Sequence, residues 1–468
     1  MDQPATTPDP PLKWYQGLDR YCWVVLTIAA LGWLFDTMDQ SLFNLVRVPS
    51  LRELLHPHLE TPKLTAEEAG RLNAAVKLWS GIITSVFLVG WATGGFIFGI
   101  LGDRLGRTRT MIITILIYAT FTGLSGVVHN VWTYSIVRFI AALGIGGEWA
   151  AGAALVAEVF PARSKAMALG LLQALSTVGN MSASLITLGL DKLHLDWRWA
   201  YFVGAAPALL VLWIRSSVKE PDDWKEAKER AAVGRELGNI GELFTHPVLR
   251  RNTIAAVLMA TAGVGSLWGI TFFSIDLLRF ELASQPPEAV TFAVSVMFLL
   301  YNAGAFLGIY LFAAFAERFS RRRAFSAWFT LGWISVLVFF WSVSGAGPAA
   351  KTVSWALAPI LGFCTLGLFA GYAVHFPYLF PTRLRATGLG FSYNFARYLA
   401  AAAPWALGGL AAALATKTAQ GTLLRSGYAP AATIVSAIYL LGYLGTYLGP
   451  ETKGKPLPED AEIQTASR

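Results

Sequence analysis

Two aspartates sit where a membrane-crossing helix should carry no charge. Within residues 32–47, GWLFDTMDQSLFNLVR, Asp36 and Asp39 close an apolar run that begins at Tyr21. At a spacing of three they share one helix face. Gln40, Asn44 and finally Arg47 extend that polar stripe. An ionised carboxylate in hydrocarbon costs about 3 kcal/mol or more. It persists only where it faces a wet cavity, pairs with a cation or takes up a proton. Desolvation and a like-charged neighbour both favour the protonated form, so paired aspartates suit a proton-binding role. The alternative is a structural pair held by arginines or backbone donors.

Arg138 and Glu148 are the next embedded charges, ten residues apart in RFIAALGIGGEW. Arginine keeps its proton and needs an anionic partner, from the protein or from a substrate. A place at the membrane interface would also satisfy it. Ten residues turn a helix by about 280°, so Glu148 does not share the Arg138 face. Glu148 is a second candidate proton site or a counter-ion. Farther along, FSYNFARYLAA carries Asn394 and Arg397 deep in an apolar stretch. A guanidinium fork matches a carboxylate bidentately, so Arg397 is the leading candidate for holding an anionic substrate. The competing role is partner to an internal acid.

Gln173, Thr177, Asn180 and Ser184 are spaced four, three and four, which makes one uncharged polar helix face. Such a face suits recognition of hydroxyls or amides in a central cavity, and equally suits bonds between helices. His375, Tyr372, Trp268, Tyr301 and Asn302 are candidates for the opposite wall of that cavity.

These residues need long apolar elements to hold them, and the chain supplies them. It has 468 residues, 55% hydrophobic and 14% charged, with mean hydropathy +0.51. A soluble protein of this length needs a far more polar surface. A spanning helix takes about 20 mostly apolar residues. Twelve such runs lie near 21–46, 78–101, 111–128, 131–157, 165–188, 199–215, 252–277, 291–315, 324–344, 353–378, 386–414 and 428–448. The expected fold is an all-α membrane protein of twelve transmembrane helices. The first run is too long, and too acidic, for a signal peptide. The stretch 47–77 is expected to form a soluble-side cap with a short helix near 65–77. The two cysteines, Cys22 and Cys364, are far apart and form no CxxC, so no metal or disulfide framework is expected.

The net charge of +8 follows from basic loops rather than from nucleic-acid binding. Arginines cluster after the second, fourth, eighth and tenth runs, whereas the loops after the third, seventh and ninth carry one basic residue or none. This asymmetry places both termini in the cytoplasm. Residues 216–251 form a charged linker that divides the runs six and six, giving bundles at 21–215 and 252–448, with short tails at 1–20 and 449–468. The halves match each other. GILGDRLGRTR at 99–109 aligns with AAFAERFSRRR at 313–323, and FPARSKAMALG at 160–170 with FPTRLRATGLG at 380–390. Parallel six-helix repeats around a midplane site are the logic of a rocking transporter.

These motifs resemble the major facilitator superfamily. Gly99, Gly102, Asp103, Arg104, Gly106, Arg107 and Arg109 match its loop between the second and third helices. Arg138 and the glycines after it are similar to its fourth-helix motif. AEVFPARSKAMALG and GPETKGKPLPE resemble the sugar-porter side. GIGGEWAAGAALVAEVFPA and the paired aspartates resemble the proton symporters of sialate, aromatic acids and other carboxylates. The resemblance implies roles in transport for Asp36 and Asp39, and in proton coupling for Arg138. It implies ion pairs that hold an outward-facing state: Asp103, Arg104, Arg107, Glu158 and Arg163 in one half, Glu317, Arg318, Arg321 and Arg383 in the other. It implies a monomer in a plasma membrane, the bacterial inner membrane, with lipid around it and no cofactor.

The leading expectation is proton-coupled uptake of a small organic anion by alternating access. A sugar or polyol porter is the alternative, favoured by PETKG and the polar fifth run but not by the depth of Arg397. A sensor without flux usually carries long extensions, and the tails here are about 20 residues each. No phosphate loop, zinc motif or nucleophile elbow is present, so an enzyme is not expected.

Overall fold

The computed structural model describes residues 13–459, apart from 56–65, 210–212, 215–216, 232–235, 272, 401–406, 408, 412, 418–422 and 426. The first half contains α1 (Arg20–Leu55), α2 (Ala66–Leu105), α3 (Arg107–Ser125), α4 (Val131–Val159), α5 (Ala162–Lys192) and a short α6 (Arg198–Gly204). The linker holds α7 (Asp222–Ala231) and α8 (Glu242–Thr245). The second half contains α9 (Pro247–Ser266), α10 (Phe273–Glu281), α11 (Pro287–Arg318), α12 (Arg321–Val343), α13 (Ala350–Leu366), α14 (Leu368–His375) and α15 (Arg385–Ala400), then α16 (Tyr428–Val435) and α17 (Tyr439–Leu448). A short antiparallel ladder, β1 (Thr416–Lys417) with β2 (Leu423–Arg425), precedes α16.

Among the described residues, nine helical stretches are long and apolar enough to cross a membrane. They coincide with nine of the twelve expected runs. The sixth and seventh runs are also helical, but interrupted, and the described start of the eleventh is the helix α15. In the seventh, a π-helical turn at Leu267–Thr271 separates α9 from α10. Large apolar side chains such as Leu185, Phe292 and Leu307 face outward, as a hydrocarbon surround requires.

The stretch 47–77 differs from expectation. Its described parts are extensions of α1 and α2. Val46, Ser50, Leu51 and Leu54 fall at helical spacing on the buried face of α1, so the helix runs on through Pro49. Glu53 fixes the extension to α6, accepting from Trp197 Nε1 at 2.7 Å and from Arg198 Nη1 at 2.6 Å.

α1 packs on α4 and α5, and α2 lies between α4 and α15 of the opposite half. The contact of α2 with α15 is a backbone contact. A Cβ at Gly99 would lie 2.8 Å from the Ala386 carbonyl oxygen. Small residues allow such an approach where lipid supplies no hydrophobic drive between helices.

Candidate functional site

The acids of α1 take separate partners on α4. Asp39 is gripped by Arg138, with Nη2 to Oδ2 at 2.8 Å and Nη1 to Oδ1 at 3.2 Å. Thr122 on α3 donates to Asp39 Oδ1 at 2.8 Å. All three side chains are buried, and the guanidinium lies over the Phe43 and Phe87 rings. This is a closed, neutral ion pair.

Asp36 lies beside Glu148, close enough for one hydrogen bond between the carboxyls. The Glu148 carboxyl rests against Gly32, one turn before Asp36. All four oxygens are buried, and no described residue donates to any of them. Two bare carboxylates in contact with no donor would be very costly. A proton shared between them would supply the missing hydrogen bond. Tyr118 on α3 and Asp39 are close enough to act on this pair electrostatically.

Arg397 on α15 is also buried, at 4% exposure, and among the described residues it has no acidic partner. Its Nη1 donates to Asn394 Oδ1 at 2.5 Å, and its Nε–H has no acceptor. Its Cζ lies 4.3 Å from the centroid of Trp91 on α2 and 4.3 Å from that of Tyr393. Tyr393 in turn meets Trp149 of α4 at 4.3 Å. Rings of both halves thus surround a cation whose fork is still available.

The uncharged polar face of α5 is largely committed. Gln173 Oε1 accepts from Trp149 Nε1 at 3.0 Å, and Thr177 returns its hydroxyl to the Ala174 carbonyl. Asn180 Nδ2 donates to Asn302 Oδ1 at 3.1 Å, and its Oδ1 accepts from Ser41. Asn180 and Asn302 thereby bridge α5 to α11. Tyr301 bonds Thr365, and the Tyr372 hydroxyl donates to the Met259 carbonyl. Trp268 is buried in the π-helical turn.

His375 departs from its expected place. It sits at the last residue of α14, where Nδ1 bonds Thr452 Oγ1 at 2.7 Å in the C-terminal segment. The same hydroxyl accepts from Arg321 Nη1 at 2.6 Å. The ring therefore belongs to the charged end of the bundle, not to a cavity wall, because periodicity gives a residue's face but not its depth.

At the linker end, Asp103 joins the halves. It pairs with Arg107 at 2.8 Å and accepts the backbone N–H groups of Ala386 and Thr387 at 3.1 and 2.8 Å. It thus caps the N-terminus of α15, where a negative charge is favoured. Arg107 and Arg385 both grip Glu158, at 2.9 and 2.7 Å. The linker lies across this cluster: Trp224 Nε1 donates to the Asp103 carbonyl, Arg104 to that of Leu237, and Arg383 to Glu242 Oε1 at 2.9 Å. Arg163 reaches the Gln16 carbonyl near the N-terminus, outside the ion-pair cluster.

In the second half the expected Glu317 and Arg318 take no described part in an ion pair. Arg318 lies over Phe319 at the surface. An acid of the tail also reaches this end. Glu451 accepts the N–H groups of Arg321 and Arg322, at 3.2 and 3.1 Å, at the start of α12. Glu220 does the same for Thr108 and Arg109 at the start of α3, at 3.2 and 3.1 Å. Gly106 makes room for it, with φ at +114° and the Glu220 carboxyl where a Cβ would stand. Sequence reasoning missed Glu220, Glu451 and Arg385. Their signal was the pair of matching loops, each followed much later by an acid after the sixth run of its half.

Burial pushes Glu451 up, but N–H donors from Lys453, Arg322 and Arg321 and the Ser320 hydroxyl outweigh it and pull the carboxyl down to about 2. Its stabilisation is therefore fully present above the ordinary value of 4.5 and is lost as pH falls toward 2. In detergent, Glu451→Gln is expected to melt a few degrees below the wild type at pH 7. The gap should narrow only below the ordinary carboxylate range. A gap that stays constant down to pH 3 would refute the assignment.

The family model of the Major Facilitator Superfamily matches residues 29–404. A probable 4-methylmuconolactone transporter of Cupriavidus pinatubonensis is 29% identical over 93% of this chain and 92% of its own length. The sialic acid transporter NanX of Escherichia coli is 29% identical over 69% and 76%. Among solved structures, the proton:xylose symporter XylE bound to 6-bromo-6-deoxy-D-glucose superposes with a TM-score of 0.71 at 17% identity, covering 96% of this chain and 99% of that one. At that identity the likeness concerns the fold.

Proposed function

Because this chain belongs to the Major Facilitator Superfamily, and so is a membrane transporter rather than an enzyme, we propose that it imports a small organic carboxylate together with a proton by alternating access. The observation that carries the reading is Arg397, a buried cation with no described acid partner and an unused Nε–H. A substrate carboxylate completes it, as a guanidinium fork requires. Relatives named for the transport of 4-methylmuconolactone and sialic acid support an acidic metabolite.

In this reading the two carboxyl pairs divide the work. Asp39 is the fixed counter-ion of Arg138, and the Asp36/Glu148 pair takes the proton. The protein sits in the bacterial inner membrane as a monomer, with the linker and both termini in the cytoplasm, as the basic loops favour. The Asp103 and Glu158 clusters then close the cytoplasmic side, and their release opens the cavity inward. The bundles 21–215 and 252–448 are the bodies that rock.

Uptake by proteoliposomes tests the whole. An acid exterior should accelerate entry of labelled carboxylates several-fold, and a protonophore should abolish the acceleration. Entry of hexoses alone, indifferent to the gradient, would refute the proposal and favour a sugar porter.

A further inference from the structure

Asn394 has one amide and two engagements. Its Oδ1 accepts from Arg397 Nη1 at 2.5 Å, and its Nδ2 donates to the Gly390 carbonyl at 2.8 Å. That nitrogen also lies against α2 of the opposite half, where a Cβ on Gly95 would stand 1.9 Å from it. Gly390 belongs to the same seam, since a Cβ there would lie 2.3 Å from the Gly95 carbonyl oxygen. One turn on, Gly99 meets the Ala386 carbonyl, and the seam ends where Asp103 caps α15. The amide is planar and only 1% exposed. It cannot turn from one neighbour without disturbing the other, and a buried donor or acceptor left empty is costly.

Arg397 is otherwise loosely held. It has no described acid, and its Nε–H has no acceptor. Asn394 therefore fixes one edge of the fork and leaves the other for an anion. Arginine carries large rotamer freedom. An anion that meets a guanidinium already ordered binds more tightly than one that must order it. Asn394 supplies that order only while Gly95 backs it, which is while α2 and α15 are closed on each other. We propose that Asn394 is a positioning residue that ties the grip of Arg397 on an anion to closure of the α2–α15 seam, tight with the linker end shut and loose once it opens. This rests on Arg397 as the carboxylate site but places no demand on the rest of the ligand. A carboxylate gripped outside is thereby let go inside. By linkage, its binding favours the closed seam to the same degree.

The test is initial uptake in right-side-out and inside-out membrane vesicles, with labelled benzoate and glucuronate as probes. In the wild type the KM at the inner face should exceed that at the outer face. Asn394→Ala is expected to raise the outer KM roughly three- to tenfold and to leave the inner KM unchanged, so that the faces become alike. Gly95→Ala, which alters neither Asn394 nor Arg397 but drives a methyl into the amide, should do the same. An amide that only holds the fold would instead lower Vmax at both faces, together with the melting temperature. Hydrogen exchange of the full-length protein in detergent gives the reciprocal reading. Saturating probe should slow exchange across 93–105 and 384–397 in the wild type and not in Asn394→Ala. An outer KM that stays put in both variants, KM changes equal at the two faces, or wild-type seam exchange that ignores the probe overturns this inference and leaves carboxylate transport standing. Uptake of neither probe by the wild type overturns both.

Discussion

Arg397→Gln is expected to reduce carboxylate uptake by roughly 30-fold or more and to leave the protein at least as stable as the wild type. The two halves of that result come from one observation. A buried charge separated from its only counter-ion costs roughly 2–5 kcal/mol in binding, which at about 1.4 kcal/mol per decade is a loss of some 30-fold to several thousand-fold. Without substrate, however, this guanidinium has no described acid, and its Nε–H has no acceptor. Removing such a cation relieves desolvation that nothing in the empty protein repays. A structural counter-ion would behave oppositely, and its loss would lower the melting temperature sharply. Arg397→Lys is expected to fail nearly as badly as Arg397→Gln, because a point charge neither forks nor spreads between the Trp91 and Tyr393 rings. Uptake and thermal melting measured on the same preparations decide the matter. Normal uptake by the Gln variant, or a large loss of stability, would remove Arg397 from the substrate site.

Asp36→Asn and Glu148→Gln are expected to uncouple transport from the proton gradient without stopping exchange. Each amide would supply in permanent form the hydrogen bond that, on the proposed reading, a shared proton supplies in the native pair. Uphill uptake should fall at least tenfold, and the dependence of the remaining flux on pH should flatten. Exchange of labelled for unlabelled substrate, which needs no net proton movement, should persist. Asp39→Asn should behave differently. It leaves Arg138 buried beside two aromatic rings with no acid, a loss of about 3–5 kcal/mol, and its first symptom should be poor folding. If both Asp36→Asn and Glu148→Gln keep full gradient-driven uptake, the proton travels elsewhere.

Charges in apolar runs were legible because nothing hides them. Asp36, Asp39, Arg138, Glu148 and Arg397 stand out from their neighbours, and the angle between Arg138 and Glu148 separates their faces. Their pairings were not legible. Which acid meets which α4 residue depends on how α1 and α4 slide past one another, and no local pattern encodes that register. Depth along the bundle axis was equally hidden, so His375 looked like a cavity residue until the fold set it beside Thr452. The aromatic wall was missed because Trp91 and Tyr393 are ordinary residues for a membrane helix. Only the close approach of α2 to α15 makes them neighbours of Arg397. Repeat matching found the Asp103 loop and its counterpart, yet it could not show that Glu317 takes no described part in an ion pair, or that the tail acid Glu451 caps α12 as Glu220 caps α3.

The late position of that acid bears on how the chain is made. The donors at the start of α3 wait for Glu220, 111 residues after Arg109, and those at the start of α12 wait for Glu451, 130 residues after Arg321. Each half is therefore latched by the segment that follows its own sixth run. During synthesis the first half can lock before the second has been translated. The second stays unlatched until the segment after its own sixth run has been made. A stop codon at position 449 or 450 would leave every described helix in place, yet it would release a product whose second half has no latch.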